Sequence, residues 1–253
     1  MPFLPYFCLR RHFLDRPFAS TAPRFDVRTT VAAARNSALT NSYPRSIFLL
    51  MLGIPIRDRR SERREATKTE IVGVAWELAR TEGLAAISLR EIARRVGMQA
   101  PSLYSYFDSK NAIYDAMFAE GAREFLNRDR PAETGNALRD LQAHMRFFVQ
   151  FCTEDAARYQ LLFQRTIPGF EPSADSFAIS VAGLELTRER LARMGFDDPR
   201  VLDLLTAIGT GLTDQQISND PDGDRWVRLV DEAMEMFFQH VTTRMNKKGR
   251  ARP

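Results

Sequence analysis

From Arg63 onward, apolar residues recur at three- and four-residue steps in one segment after another, and no stretch alternates apolar with polar long enough to make a strand. A chain patterned this way can bury its apolar stripes only by packing helix on helix, so an all-α fold is expected. In "REATKTEIVGVAWELARTEG", Ile71, Val74, Ala75 and Leu78 fall on one face and Gly83 follows as a C-terminal stop. In "ISLREIARRVG", Ser88 and Glu91 have the spacing of a capping box, Ile92, Ala93 and Val96 form the stripe, and Gly97 ends the helix after barely two turns.

A third short helix is expected near Gln99. Pro101 is tolerated there because the first N–H groups of a helix have no internal acceptor. Leu103 and Phe107, four apart, can both face the first helix. Ser109 then caps a longer helix with Ile113, Met117 and Phe118 on one side. Further helices are predicted at roughly 135–152, 154–165, 173–194, 199–218 and 223–246, with the clearest loops at 165–173 and 219–224. No internal repeat is visible.

Residues 1–60 lack either period, are interrupted by six prolines and read as an irregular or disordered extension. Their Arg- and Ser-rich, acid-poor character is shared with organelle transit peptides. The plainer reading is an over-called start or a floppy leader, since Met51 stands shortly before the first patterned helix. Residues 1–62 hold ten arginines against four acids, a net +6, whereas 63–110 carry +2 and 111–253 carry −4. The longest apolar run, residues 46–56, is about half the roughly 20 residues a membrane span requires, so no membrane partner is expected. Two cysteines far apart, Cys8 and Cys152, with no metal-ligand spacing, point to a reducing, cytoplasmic compartment and to no metal or other cofactor.

Two short helices joined by a glycine-containing turn have the proportions of a helix-turn-helix. In such a unit the second helix enters the major groove of DNA, so its leading side chains must be short or polar. Gln99, Ala100, Ser102 and Ser105 meet that demand: Gln can pair with adenine, Ser with most bases, Ala with a thymine methyl. Tyr104, Tyr106 and Lys110 suit phosphate oxygens, a positioning role. Arg90 reads as a base or phosphate contact, Arg94 and Arg95 as a solvated face. Phe107 reads as core, and Tyr104 as mixed, its ring on the core and its hydroxyl towards phosphate.

These residues also carry a resemblance. "ISLREIARRVGMQAPSLYSYFDSKNAIYDAMF", residues 87–118, resembles the DNA-binding signature of the tetracycline-repressor (TetR) family: Thr/Ser-x-x-x-Ile-Ala, a glycine turn, Leu-Tyr-x-His/Tyr-Phe, then Ser/Asn-Lys. Met98 and Gln99 stand where Val-Ser is frequent, Tyr106 where His is frequent, and Asn111 and Ala112 where acids are usual; these departures bear on the operator rather than the fold. The resemblance implies a DNA-binding domain over 61–118, a ligand-binding and dimerising helical domain over 119–246 and, after it, a basic tail at 247–253. Its DNA-contacting positions would be Ser88, Arg90, Gln99, Ala100, Pro101, Ser102, Tyr104, Ser105, Tyr106 and Lys110. The partners it implies are a double-stranded, palindromic DNA operator, a small-molecule effector and a second copy of the chain, as in a repressor.

The C-terminal part is rich in phenylalanine. A phenylalanine stripe at helical spacing is ordinarily core. In a domain resembling an effector-binding one, part of it would also line the pocket, which favours an apolar or aromatic ligand near His144, Phe147, Phe148, Phe151, Phe163 and Phe170. The last two helices carry Leu205, Ile208 and Leu212, with Gly209 and Gly211 between, and Trp226, Leu229, Ala233 and Phe237. These stripes suit a two-fold four-helix bundle or, alternatively, the chain's own core. His12, His144 and His240 are scattered and no catalytic motif occurs, so an enzyme is not expected. The alternative is a helical small-molecule-binding or enzyme-like protein without specific DNA binding.

Overall fold

The computed structural model describes residues 58–250, with side chains as far as Arg244. Residues 1–57, with the apolar run, Cys8 and His12, lie outside the described residues, as do the last three of the basic tail; Arg59 and Arg60, read as part of the irregular extension, open the first helix. Nine α-helices and two 3-10 turns, and no strand, occur among the described residues. In order they are α1 (Arg59–Glu82), a 3-10 turn (Leu84–Ala86), α2 (Leu89–Arg95), α3 (Ala100–Leu103), α4 (Lys110–Asn127), α5 (Ala137–Thr153), α6 (Ala156–Phe163), α7 (Ala174–Arg193), α8 (Pro199–Asn219), a second 3-10 turn (Val227–Leu229) and α9 (Val230–Arg250). No described helix is long and apolar enough to cross a membrane.

By its internal contacts the chain divides into two compact units, residues 1–67 and 68–253. What is described of the first is the opening of α1, where the Asp58 carboxylate accepts from the Arg60 N–H at 3.0 Å. The second unit holds everything else. Its first core gathers Ile71, Ala75 and Leu78 of α1, Ile92 of α2, Leu103 of α3, and Ile113 and Met117 of α4, all fully buried. Each such side chain stabilises the fold by about 1.5 to 3 kcal/mol relative to exposure. The α1 stripe is wider than its leading positions indicate. Val72, Trp76 and Ala79 are buried too, while Val74 is only partly covered, because α1 is packed on two sides.

A second core lies further along the chain. Leu141, Met145 and Val149 of α5 pack against Leu205 of α8 and Val230, Met234, Phe237 and Val241 of α9. Gly209 lets α8 approach α5 closely, since a Cβ there would stand 2.9 Å from the Met145 sulfur; Gly211 faces open space. The junction between α8 and α9 is built around one buried amide. Gln216 Oε1 accepts from the N–H groups of Trp226 (2.9 Å) and Val227 (3.2 Å), and its Nε2 donates to the carbonyls of Gly223 (3.0 Å) and Asp220. This explains why the last predicted helix does not run unbroken from 223: the turn ends on Gln216, and Val227–Leu229 is 3-10.

The capping box is not formed. Ser88 is the N-cap residue of α2 but its side chain makes no capping bond. The Glu91 carboxylate is instead drawn to guanidinium groups on its own helix, accepting from Arg94 (2.9 and 2.6 Å) and Arg95 (2.9 Å). Those three charge-assisted bonds outcompete a single bond to the Ser88 N–H.

Candidate functional site

The α2–α3 turn is closed by a glycine in the left-handed region. Gly97 has φ 70°. Its N–H donates to Arg94 O (3.3 Å) and the Met98 N–H to Ala93 O (2.8 Å), the Schellman pairing that terminates α2 and turns the chain into α3. Leu103 anchors α3 from beneath. Gln99, Pro101, Ser102, Tyr104 and Ser105 are exposed, and Ala100 and Tyr106 half-buried, so the expected base-reading positions lie on the outer side of the short helix. Gln99 occupies the N-cap position of α3 but uses none of its side-chain bonds there. Ser105 Oγ donates to Ser102 O at 2.7 Å.

The two tyrosines exchange the roles read from their spacing. Tyr104 is 52% exposed and its ring is not on the core, whereas Tyr106 packs against that core beside Phe107. The helix stops at Leu103, so helical phase does not extend to these positions. The arginines of α2 differ in their partners, and Arg95, read as part of a solvated face, is half-buried in ion pairs. Arg94 and Arg95 are held by Glu91, whose carboxyl they pull down to about 2, and Arg95 also reaches Glu82 at 3.1 Å. Arg90 is exposed and has no ion pair among the described residues.

Lys110 begins α4, which Ser109 caps through its Oγ to the Ala112 N–H (3.1 Å). Its ammonium donates to Ala85 O at 3.0 Å and lies 5.3 Å from the Tyr114 ring centre. Tyr114 donates to Leu84 O at 2.7 Å. Lys110 and Tyr114 together thus tie α4 to the 3-10 turn that precedes α2. A lysine has three donors, so bonding Ala85 leaves others for a phosphate.

In the C-terminal half, Phe147, Phe148 and Phe151 of α5 and Phe163 of α6 all meet at Phe125 of α4, with ring centres 5.8, 6.3, 4.9 and 6.0 Å away. Phe125 was legible as the next turn of the α4 stripe, seven residues after Phe118, and sequence reasoning passed it over. Phe170 is not part of this assembly. It lies 5.4 Å from Tyr114, against the first core, because the loop carrying it folds back onto α4. Phe151 is fully buried and receives the Arg158 guanidinium 3.9 Å from its ring centre.

Beside the rings sits a polar group that sequence reasoning also missed. Asp214 of α8 accepts from the Tyr159 hydroxyl (2.7 Å) and from Gln164 Nε2 (2.6 Å). Burial, then the bond to Asp214, pushes the Tyr159 phenol up, and burial pushes the Cys152 thiol well up, so both stay protonated. His144 donates from Nδ1 to Asp140 O (2.7 Å), and burial holds its imidazole below the ordinary histidine range. No cluster of His, Cys, Asp or Glu suited to a metal occurs among the described residues.

Of the residues read as a dimer face, Leu205 and Phe237 are buried in their own chain's second core. Ile208, Leu212, Trp226, Leu229 and Ala233 are half-buried. The exposed apolar side chains on these helices are Leu204 (39%) and Met236 (62%). A half-open groove of about 580 Å³ runs between Phe196, Val201 and Leu204 on one side and His240, Val241 and Arg244 on the other.

Residues 71–117 match the family model described as bacterial regulatory proteins, tetR family. The chain is 30% identical over 112 residues to the HTH-type transcriptional activator FasR of Mycolicibacterium smegmatis, a match spanning 42% of this chain and 51% of that one. The chain therefore spans about half the length of the curated relatives it matches. Two solved structures share the fold. That of SCO4313 has a TM-score of 0.56 and 21% identity, covering 70% of this chain and 97% of the other. A tetR-family transcriptional regulator from Streptomyces coelicolor has a TM-score of 0.51 and 22% identity, covering 70% and 79%.

Proposed function

From the match of residues 71–117 to the bacterial regulatory proteins of the tetR family, we propose that the chain is a ligand-responsive transcriptional repressor of that family rather than an enzyme. It works in the cytoplasm as a homodimer on a palindromic operator, and a small apolar or aromatic effector releases it. The observation that carries this reading is the outer side of α3. Gln99 and Ser102 are exposed there above a fully buried Leu103, so polar side chains are presented by a helix whose inner side is fixed. In this reading Arg90, Tyr104, Tyr106 and Lys110 hold phosphates, and Ser88, Ala100, Pro101 and Ser105 complete the contact surface.

The working division is DNA binding over 61–118 and effector binding and dimerisation over 119–246, with 1–60 and 247–253 as appendages. Dimerisation uses α8 and α9 through their outward residues, Leu204 and Met236 with the half-buried Ile208, Leu212, Trp226, Leu229 and Ala233. Two recognition helices related by a two-fold axis would then sit about 34 to 36 Å apart, one turn of DNA, or somewhat more.

Footprinting of the full chain on the DNA upstream of its own coding sequence tests this, with a reporter on the same promoter. A protected inverted repeat, and expression that rises when the protein is removed, are the expected results. Weak binding, equal for all sequences, would leave only a helical ligand-binding protein. Expression that falls would make the regulator an activator.

A further inference from the structure

In the loop between α4 and α5, one guanidinium, that of Arg130, is not neutralised by any carboxylate among the described residues. Arg130 lies half-buried with its guanidinium 4.9 Å from the Phe125 ring centre and 5.3 Å from that of Phe147. Its one hydrogen bond is to the Phe125 carbonyl, a long one at 3.3 Å, and it has no carboxylate partner among the described residues. Arg190 of α7, with a side chain only 15% exposed, reaches Glu133 at 3.2 Å. Glu133 is already shared with Arg193 at 2.7 Å. Two guanidinium groups therefore share one carboxylate, and Arg130 has none.

Asp140 does not serve Arg130 either. Asp140 is buried, but its two carboxylate oxygens accept from the Thr134 N–H (2.8 Å), the Thr134 hydroxyl (2.7 Å) and the Gly135 N–H (3.1 Å), which closes the loop on itself. His144 adds a further vacant polar atom. Its Nδ1 carries the proton donated to Asp140 O, so Nε2 is left as a buried nitrogen with no partner. Burial and the neighbouring Arg190 both weaken the hold of Arg130 on its proton, in keeping with cations that lack a counter-ion.

We propose that Arg130, Arg190 and His144 form an anion-binding subsite for an amphipathic effector, which places an acidic head group there and its apolar body along Phe125 and Phe147. The two arginines supply charge and a fork of donors for a carboxylate or sulfonate, and the rings keep the contact dry enough for that charge to count. With the anion's negative charge beside it, His144 Nε2 takes up a proton from solvent and becomes a third donor. This proposal rests on the reading of the C-terminal half as an effector domain, and it specifies the class of effector.

Two fluorescent probes separate the two ideas: anilinonaphthalene sulfonate, which has an acidic head, and N-phenylnaphthylamine, which has nearly the same body and none. The full chain is expected to bind the sulfonate at least about tenfold more tightly. Arg130→Leu, which keeps the stem on the rings, removes that advantage and leaves the neutral probe unchanged. Arg130→Lys retains most of it, and Arg139→Leu, on an exposed arginine of α5, leaves both probes unaffected. Thermal unfolding of each variant monitors the fold, and Arg190→Gln serves in place of Arg130→Leu if the latter unfolds. Equal affinity for the two probes, or sulfonate binding that survives both substitutions, overturns the anion subsite while the effector domain stands. Failure of both probes to bind overturns the effector domain itself.

Discussion

The first core and the second half of the molecule differ in what they bury. Six polar or charged side chains are buried among the described residues, namely Asp140, Asp155, Arg158, Ser176, Thr213 and Gln216, and all lie beyond residue 139. The core beneath α3 is built instead from aliphatic and aromatic side chains, with the Tyr114 hydroxyl turned to a backbone carbonyl. A reading head needs one shape and a polar exterior, and an apolar core provides that without internal conditions. The other half places hydrogen-bonding groups inside, where each must be matched by a partner.

The sharpest way to break this comparison is at adjacent residues. Leu103→Ala empties a fully buried site and is expected to lower stability by about 2 to 5 kcal/mol and to abolish DNA binding, as followed by urea unfolding and fluorescence anisotropy. Tyr104→Ala, one residue on, should change stability by less than about 0.5 kcal/mol while weakening DNA binding. In the second half the corresponding loss is of a polar group. Gln216→Ala removes four bonds at the α8–α9 junction and is expected to cost about 2 to 4 kcal/mol. A loss no larger than an ordinary surface substitution would show that the buried amides are incidental.

Smaller effects test the surface of the reading head. Gln99→Ala should shift the preferred base at one operator position by about 1 to 3 kcal/mol, and Lys110→Ala should weaken all sequences alike. Because Lys110 also holds Ala85 O, its loss should lower the unfolding midpoint slightly as well. A base-specific effect from Lys110→Ala would reverse the assignment. The smallest signal is a pH dependence. The carboxyl of Glu91 is lowered from 4.5 to about 2 by Arg94 and Arg95, so its contribution is complete above 4.5 and is lost as pH falls from there towards 2. Glu91→Gln should flatten that part of the acid unfolding curve, and an unchanged curve would remove Glu91 as its cause.

Much of the helical order was legible because burial imposes a 3.6-residue period on any helix with one covered face. The predicted span 173–194 and the observed Ala174–Arg193 differ by a residue at each end. Periodicity does not say what a stripe packs against, which is why Leu205 and Phe237 could be read as a dimer face when α5 covers them. It also does not rank competing polar partners. Ser88 and Glu91 have the capping spacing, yet Arg94 and Arg95, three and four residues after Glu91, were in plain view as stronger rivals. Asp214 was invisible for a different reason: its partners Tyr159 and Gln164 are distant in sequence, and a single chain read alone contains no signal of that pairing. Gln216 and Arg130 bond groups close in sequence, but across turns whose path periodicity does not give.

One feature of α4 sets a limit on how this chain can vary. Tyr114 holds the turn before α2 through Leu84 O, and the next residue, Asp115, accepts from the Ser173 N–H (2.6 Å) and the hydroxyls of Ser173 and Ser176 (2.9 Å each) at the start of α7. A residue inserted between the two would turn the rest of α4 by about 100° and advance it about 1.5 Å, separating these attachments around the helix. An insertion between them therefore breaks one attachment or the other, whatever residue is involved. The rotational phase of one helix is thus a fixed quantity to which both halves of the molecule are set, and related chains that keep both attachments must keep α4 unbroken between them.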